Sequence, residues 1–182
     1  VDIATLLKSG TWGGEAQWGV TSVAMFRLVE LVRSLRNTGR NITIAHFKPV
    51  SFGNRSLDQN YYEIRMAALL AAAAEKHPEA VIVALMGNIH ARKSTMTLGK
   101  TQLAPAVSHL PPGDVLTFNV LHSGGSAWVC TPDGCGVSES PKRVSKPRGL
   151  YRARTGGTGT FDGEFSVGTP FTASPPAAKH VH

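Results

Sequence analysis

A chain of 182 residues, 42% hydrophobic and 17% charged, is long enough to close a packed core and too sparsely charged to stay unfolded. Its 19 basic residues outnumber 12 acidic ones, and the net charge of +7 argues for nucleic acid only if it sits in a recognisable binding motif. The longest purely apolar stretches, residues 66–74 and 80–86, fall far short of the roughly 20 residues that cross a bilayer, so no membrane span is expected. No basic-then-apolar leader opens the chain, and a first residue of Val1 in place of Met reads as a processed or trimmed start.

Residues 21–36 set Ala24, Met25, Leu28, Val29, Leu31, Val32 and Leu35 on one helical stripe, with Arg27, Arg33 and Arg36 opposite and Gly39 as a stop. Residues 41–47 alternate Ile42 and Ile44 against Thr43 and predict a strand that ends near His46. After a Gly/Asn/Ser loop, residues 57–76 predict a second helix, with Met66, Leu69, Leu70 and Ala73 on one face and Pro78 beyond its end. The continuous apolar run 80–86 has strand length and the pattern of a strand covered on both faces. Helix, strand, helix, strand in this rhythm predicts a parallel α/β layer.

Downstream the pattern changes. Residues 115–122 and 126–131 are strand-like and joined by Ser123-Gly124-Gly125, which predicts a hairpin. Further strand candidates, 160–167 and 170–173, carry Phe161, Phe165 and Phe171, so the tail is expected to fold back onto the body. The only cysteines, Cys130 and Cys135, flank Thr131-Pro132-Asp133-Gly134, strong turn chemistry that a disulfide could close; two buried free thiols are the alternative. A disulfide would place the protein in an oxidising compartment, secreted or periplasmic. From residue 138 onward the chain holds a net +4 of the charge, densest over 141–154. That run is spaced by Pro, Ser and Gly and has no nucleic-acid motif, so it reads as a solvated basic loop.

The segment richest in chemistry is Met86-Gly87-Asn88-Ile89-His90-Ala91-Arg92. A strand ending in Gly-Asn-x-His would deliver an imidazole to the carboxyl edge of a sheet, where α/β folds bind ligands. There Gly87 would allow close approach, Asn88 would supply a polar group, and His90 would serve as general base or metal ligand. His46, at the end of the preceding strand candidate, joins Gly87 and Asn88 as a substrate-binding candidate, although a satisfied half-buried histidine is the blander reading.

At these residues the chain resembles a family. Ser22-Val23-Ala24-Met25, Leu31-Val32-Arg33-Ser34-Leu35, Ile42-Thr43-Ile44-Ala45-His46-Phe47, Arg65-Met66-Ala67 and the run from Val81 to Arg92 occur in the order seen in the erythromycin-esterase/ChaN-like (Tiki/TraB-related) superfamily. Its uncharacterised secreted bacterial members look most similar, through Gly124-Gly125-Ser126-Ala127-Trp128-Val129-Cys130 and Phe161-Asp162-Gly163. The resemblance implies a three-layer α/β domain with a mostly parallel sheet flanked by helices and an added C-terminal β-hairpin region. Residues 1–137 would form that domain, lacking its N-terminal strand, and residues 138–182 a basic Pro/Gly/Ser-rich loop and β tail packed on it. Relatives include macrolide esterases, haem-binding lipoproteins, Tiki-type proteases, a toxin domain and plant-pathogen effectors, a breadth that does not fix a reaction.

The departures are specific. The family's Gly-Glu-x-x-His motif is only imitated by Gly14-Glu15-Ala16-Gln17-Trp18, Phe47-Lys48 stands where relatives end a strand in Asp, and Arg-Asp-x-x-Met-Ala becomes Tyr62-Glu63-Ile64-Arg65-Met66-Ala67. The resulting expectation is a secreted bacterial protein with a reduced active site, a virulence or avirulence type effector acting on a host protein or a small-molecule ligand. The alternative is an active hydrolase with His90 as general base and Glu63 or Arg65 steering an ester, peptide or other small substrate. A third reading is haem or a divalent metal, with His90 as ligand and His46, His109 or His122 as partner, although no cofactor is required by the sequence and these spacings are not those of a helical metal site.

Overall fold

The computed structural model describes residues 3–13, 20–49, 58–131, 133–142, 146–153 and 159–179. The segment 14–19 that imitates the family's first motif, Pro132 of the cysteine turn, part of the basic run and the last three residues lie outside them. Two interleaved compact units make up the chain: Val1–Ile44 with His122–Lys146 and Gly168–His182, and Ala45–Leu121 with Pro147–Val167.

In the first unit, α1 (Ile3–Lys8) and the single turn α2 (Gly10–Gly13) precede α3 (Val23–Asn37). Ser22 caps α3 with its hydroxyl oxygen, which accepts the Met25 N–H at 3.4 Å. The tail residues fasten the same end: the Val23 N–H donates to the Pro175 carbonyl at 2.9 Å, and the Ala24 N–H to the Ser174 hydroxyl at 2.8 Å. Phe26 is buried on the inner face of α3 and meets the edge of Trp12 with ring centroids 6.2 Å apart. The second unit is organised by α4 (Gln59–Lys76), capped by Asp58, whose carboxylate accepts the Asn60 N–H at 3.0 Å. Met66 and Ala67 of α4 pack with Ala106 into a core joined by Phe47, Tyr62, Met86 and Leu110. Both predicted helices therefore form within two residues of their expected bounds.

The three-layer, mostly parallel sheet does not form. Residues 41–47 and 80–86 hold no strand; Ile44 is 56% exposed, Val81 91%, Val83 82% and Leu85 60%. An apolar run makes a central strand only when neighbours supply hydrogen bonds on both edges and layers cover both faces. Among the described residues no strand lies beside either run, and the amides of residues 81–86 make no backbone hydrogen bond. What the chain builds instead is three small sheets. Strands β1 (Met96–Leu98) and β2 (Thr101–Leu103) pair antiparallel. Strand β3 (Phe118–Leu121) runs parallel to β7 (Gly163–Ser166), which pairs antiparallel with β6 (Gly149–Arg152) on its other edge. Strands β4 (Gly125–Thr131) and β5 (Gly134–Ser140) form the one long hairpin among the described residues.

The hairpin predicted between 115–122 and 126–131 is thereby corrected: β3 and β4 enter different sheets, and β4 turns back at the cysteine loop. The Gly-Gly pair serves close packing in place of a turn. Gly125, at φ 101°, lies against the Phe171 backbone, where a Cβ would overlap the Phe171 carbonyl oxygen, and the two residues form a bridge. That bridge is all the sheet pairing that the strand candidate 170–173 makes among the described residues. Residue 138 falls inside β5, and residues 149–152 of the basic run form β6.

Cys130 and Cys135 face each other in the β4–β5 register and form a disulfide. Closing so short a loop restricts the unfolded chain by about 2 kcal/mol in the entropy model. Double replacement by serine is therefore expected to lower unfolding stability by about that amount, read from urea denaturation midpoints under non-reducing conditions.

Candidate functional site

The first five residues of α4 carry three polar side chains, Gln59, Asn60 and Glu63, that organise the second unit. Asn60 clamps the end of β2 and the residue that follows it: its Nδ2 donates to the Gln102 carbonyl at 2.9 Å, and its Oδ1 accepts the Ala104 N–H at 2.9 Å. This pins residues 102–104 to α4 and feeds Leu103 and Pro105 into the interior, followed by the short 3-10 helix Ala106–His109. The first two amides of that helix then reach the site. Ala106 N–H donates to Glu63 Oε2 at 2.9 Å, and Val107 N–H donates to the His90 carbonyl at 3.2 Å.

Glu63 and His90, 27 residues apart in sequence, meet here. The His90 Nδ1 lies 2.7 Å from Glu63 Oε1 and 2.9 Å from Oε2, and Gln59, one helical turn before Glu63, donates through Nε2 to Oε1 at 2.6 Å. The Glu63 side chain is 0% exposed and that of His90 26%. Burial alone would push the Glu63 carboxyl up; the hydrogen bonds from His90 and Gln59, the charge of His90 and the Ala106 N–H outweigh it and hold the carboxyl below its ordinary value. Glu63 is therefore ionised at neutral pH and can only accept, so Nδ1 carries the proton that it donates to Glu63. That leaves Nε2 as the ring nitrogen not engaged with Glu63.

His90 sits in a turn in which its N–H donates to the Gly87 carbonyl at 3.0 Å. A Cβ added at Gly87 would stand 3.4 Å from His90 Cδ2 and 3.9 Å from Nε2. With glycine at residue 87, no side chain of that residue covers this edge of the ring. Tyr62 flanks the imidazole with ring centroids 5.9 Å apart. Burial, and then the charge of Glu63, push the Tyr62 hydroxyl up, so it stays a neutral phenol.

Of the residues singled out by sequence, Glu63, His90 and Gly87 are brought together. Arg65 is not: two positions along a helix is a turn of about 200°, and Arg65 is exposed while Glu63 is buried. Asn88 is exposed in the turn, and His46 is exposed while its neighbour Phe47 enters the core. The His109 Nε2 lies 3.2 Å from the Ala104 carbonyl, and the His122 ring stacks on Phe171 at 4.4 Å. No three His, Cys, Asp or Glu side chains converge among the described residues in a way that could hold a metal ion. Gln59, Asn60 and the Ala106 amide were not singled out by sequence. Gln59 had a signal, its four-residue spacing from Glu63 on a helix; a backbone amide 43 residues away has none.

No family model matches the chain, and no curated protein or solved structure is found to be similar to it. Among the described residues no helix is long and apolar enough to cross a membrane.

Proposed function

We propose that the protein is a hydrolase of small ester or peptide substrates in which His90 is the general base. The observation that carries this reading is the bond from His90 Nδ1 to a wholly buried, ionised Glu63. A carboxylate fixed by its own hydrogen bonds sets the tautomer and aim of the imidazole and stabilises the imidazolium formed when the base takes a proton. In the proposed step, His90 Nε2 removes a proton from water as the water oxygen attacks the acyl carbonyl; the same proton then passes to the departing alkoxide or amine. Gly87 sets no side chain against the Nε2 edge of the ring, and Tyr62 offers an apolar wall with a phenol at its edge.

The layered fold implied by the resemblance to the erythromycin-esterase/ChaN-like superfamily is absent and the breadth of that superfamily fixes no reaction, so the reading rests on the Glu63–His90 geometry. The host-directed effector reading leaned on a reduced site, and a Glu–His pair with every carboxylate oxygen bonded weighs against reduction. The disulfide fits work outside the cytoplasm, in a periplasmic or secreted setting.

The test is turnover of a panel of chromogenic esters and peptides by the wild type and by His90→Ala. Removal of the base is expected to cut kcat/KM by about a hundredfold or more on any substrate that is turned over. Equal turnover by both proteins, or none by the wild type across the panel, would overturn the reading.

A further inference from the structure

We propose that Gln59 is a positioning residue that fixes the plane of the Glu63 carboxylate and, through it, the aim of the His90 imidazole. Its part in hydrolysis rests on the reading above; the aiming stands on the hydrogen bonds alone.

The need for such a residue comes from the torsions of glutamate. The last torsion of a Glu side chain is broad and two-fold, so burial of the carboxylate does not by itself choose the plane in which the oxygens lie. His90 does not choose it either: Nδ1 is 2.7 Å from Oε1 and 2.9 Å from Oε2, nearly midway, and can follow whichever oxygen moves. Two donors at the flanks fix the plane. The Ala106 N–H reaches Oε2 at 2.9 Å, and Gln59 Nε2 reaches Oε1 at 2.6 Å. The first is main chain, carried by the segment that Asn60 pins. The second is a side chain, so a substitution removes it without touching Glu63, His90 or the backbone.

Three features suit Gln59 to the role. An ionised carboxylate only accepts, so the Nε2 end of the amide and not its oxygen faces Oε1. Gln59 precedes Glu63 by four residues on α4, the spacing of side-chain neighbours on one helix face, and follows directly on the cap Asp58, so its base is set by a capped helix. The donor is also neutral. A lysine or arginine would hold Oε1 but oppose the negative charge that stabilises an imidazolium, whereas an amide holds the oxygen and leaves that charge to His90. An i, i+4 pair that only supports α4 would do nothing at the imidazole, so the imidazole is where the role is read.

The test is Gln59→Met, which keeps a long unbranched side chain and removes the donor. The readouts are 13C relaxation of the His90 ring and 15N relaxation of the α4 backbone. In the wild type the ring is expected to be as ordered as the helix, with an order parameter of about 0.85, and in Gln59→Met to fall below about 0.6 while the backbone over 59–76 keeps its order. A ring that keeps its order in Gln59→Met, or loses it together with the α4 backbone, overturns the proposal. The wild type decides even if the variant fails to fold: the Gln59 Nε2 group is expected to be rigid, and a mobile amide or a mobile His90 ring overturns the proposal. On any substrate that is turned over, Gln59→Met is expected to lower kcat about tenfold with KM within about twofold, and an unchanged kcat would also overturn it. Absence of hydrolysis by the wild type defeats the hydrolytic reading and leaves ring order to judge Gln59.

Discussion

Glu63→Ala is expected to remove about 3 kcal/mol of folding stability, the scale on which one partner of a buried charged pair is lost, and to depress hydrolysis about a thousandfold. The two losses have one cause. Glu63 has no exposed surface, and its two oxygens receive Gln59, His90 and Ala106; truncation strands those donors in a dry interior. Glu63→Gln separates folding from function. Its amide oxygen, in the place of Oε2, can still accept the Ala106 N–H and the His90 Nδ1–H 2.9 Å away, but its NH2 meets the Gln59 donor and the negative charge that would stabilise an imidazolium is gone. This variant is expected to fold with a smaller loss of stability than the alanine variant and to be slowed by the loss of the charge.

Acid provides an independent check through the sign of the shift. The Glu63 carboxyl lies below its ordinary value of 4.5 in the folded protein, so the unfolded chain takes up this proton first as the pH falls. Its contribution is full above the ordinary value and is lost as pH drops through the lowered one. The stability gap between wild type and Glu63→Gln is therefore expected to be widest near neutrality and to close on acidification, measured by urea denaturation at stepped pH. Asp162 is shifted down as well: burial opposes this, and the bonds from Lys93 and Thr117 prevail, so the variant keeps some acid sensitivity. A gap that stays constant down to strongly acid pH would show that Glu63 is not held as a carboxylate.

What could be read in the sequence was local. The helix over 23–37 announces itself by an apolar stripe and by Gly39 just beyond its end, and the helix over 59–76 by Met66, Leu69, Leu70 and Ala73 on one face with Pro78 beyond its end. Those signals act within a few residues, so nothing distant could cancel them. Strand pairing is different in kind. Residues 80–86 have the composition of a buried strand, but composition does not supply the neighbour that must lie 4.8 Å or so away. The cysteine turn and the Gly-Gly pair both look like hairpin turns; only the first became one, because Gly124 and Gly125 are consumed by contact with Pro141, Lys142 and Phe171. The candidate site shows the same divide. His90 and Glu63 stand out by residue type, whereas their meeting depends on Asn60 gripping residues 102–104 and on a 3-10 helix whose first two amides face them. Arg65 was attractive as a charge and is excluded by helical geometry alone.

The correction to the fold has a consequence large enough to measure in one variant. If residues 80–86 were a strand inside a parallel sheet, Val83→Lys would bury an ammonium among apolar layers and abolish folding. With Val83 82% exposed, the same change is expected to leave unfolding stability within about 0.5 kcal/mol of wild type. Met66→Ala, at a site only 4% exposed in the α4 core, should by contrast cost about 3 kcal/mol. Solubility should move the other way. Seven consecutive apolar residues free of charge, proline and glycine, with no backbone hydrogen bonds over 81–86 among the described residues, make a template for intermolecular pairing, and a lysine in its middle interrupts it. Val83→Lys is thus expected to show an unchanged urea midpoint together with less light scattering on heating than wild type. Global unfolding of Val83→Lys would mean that the run is covered after all and that the sheet expected from sequence exists.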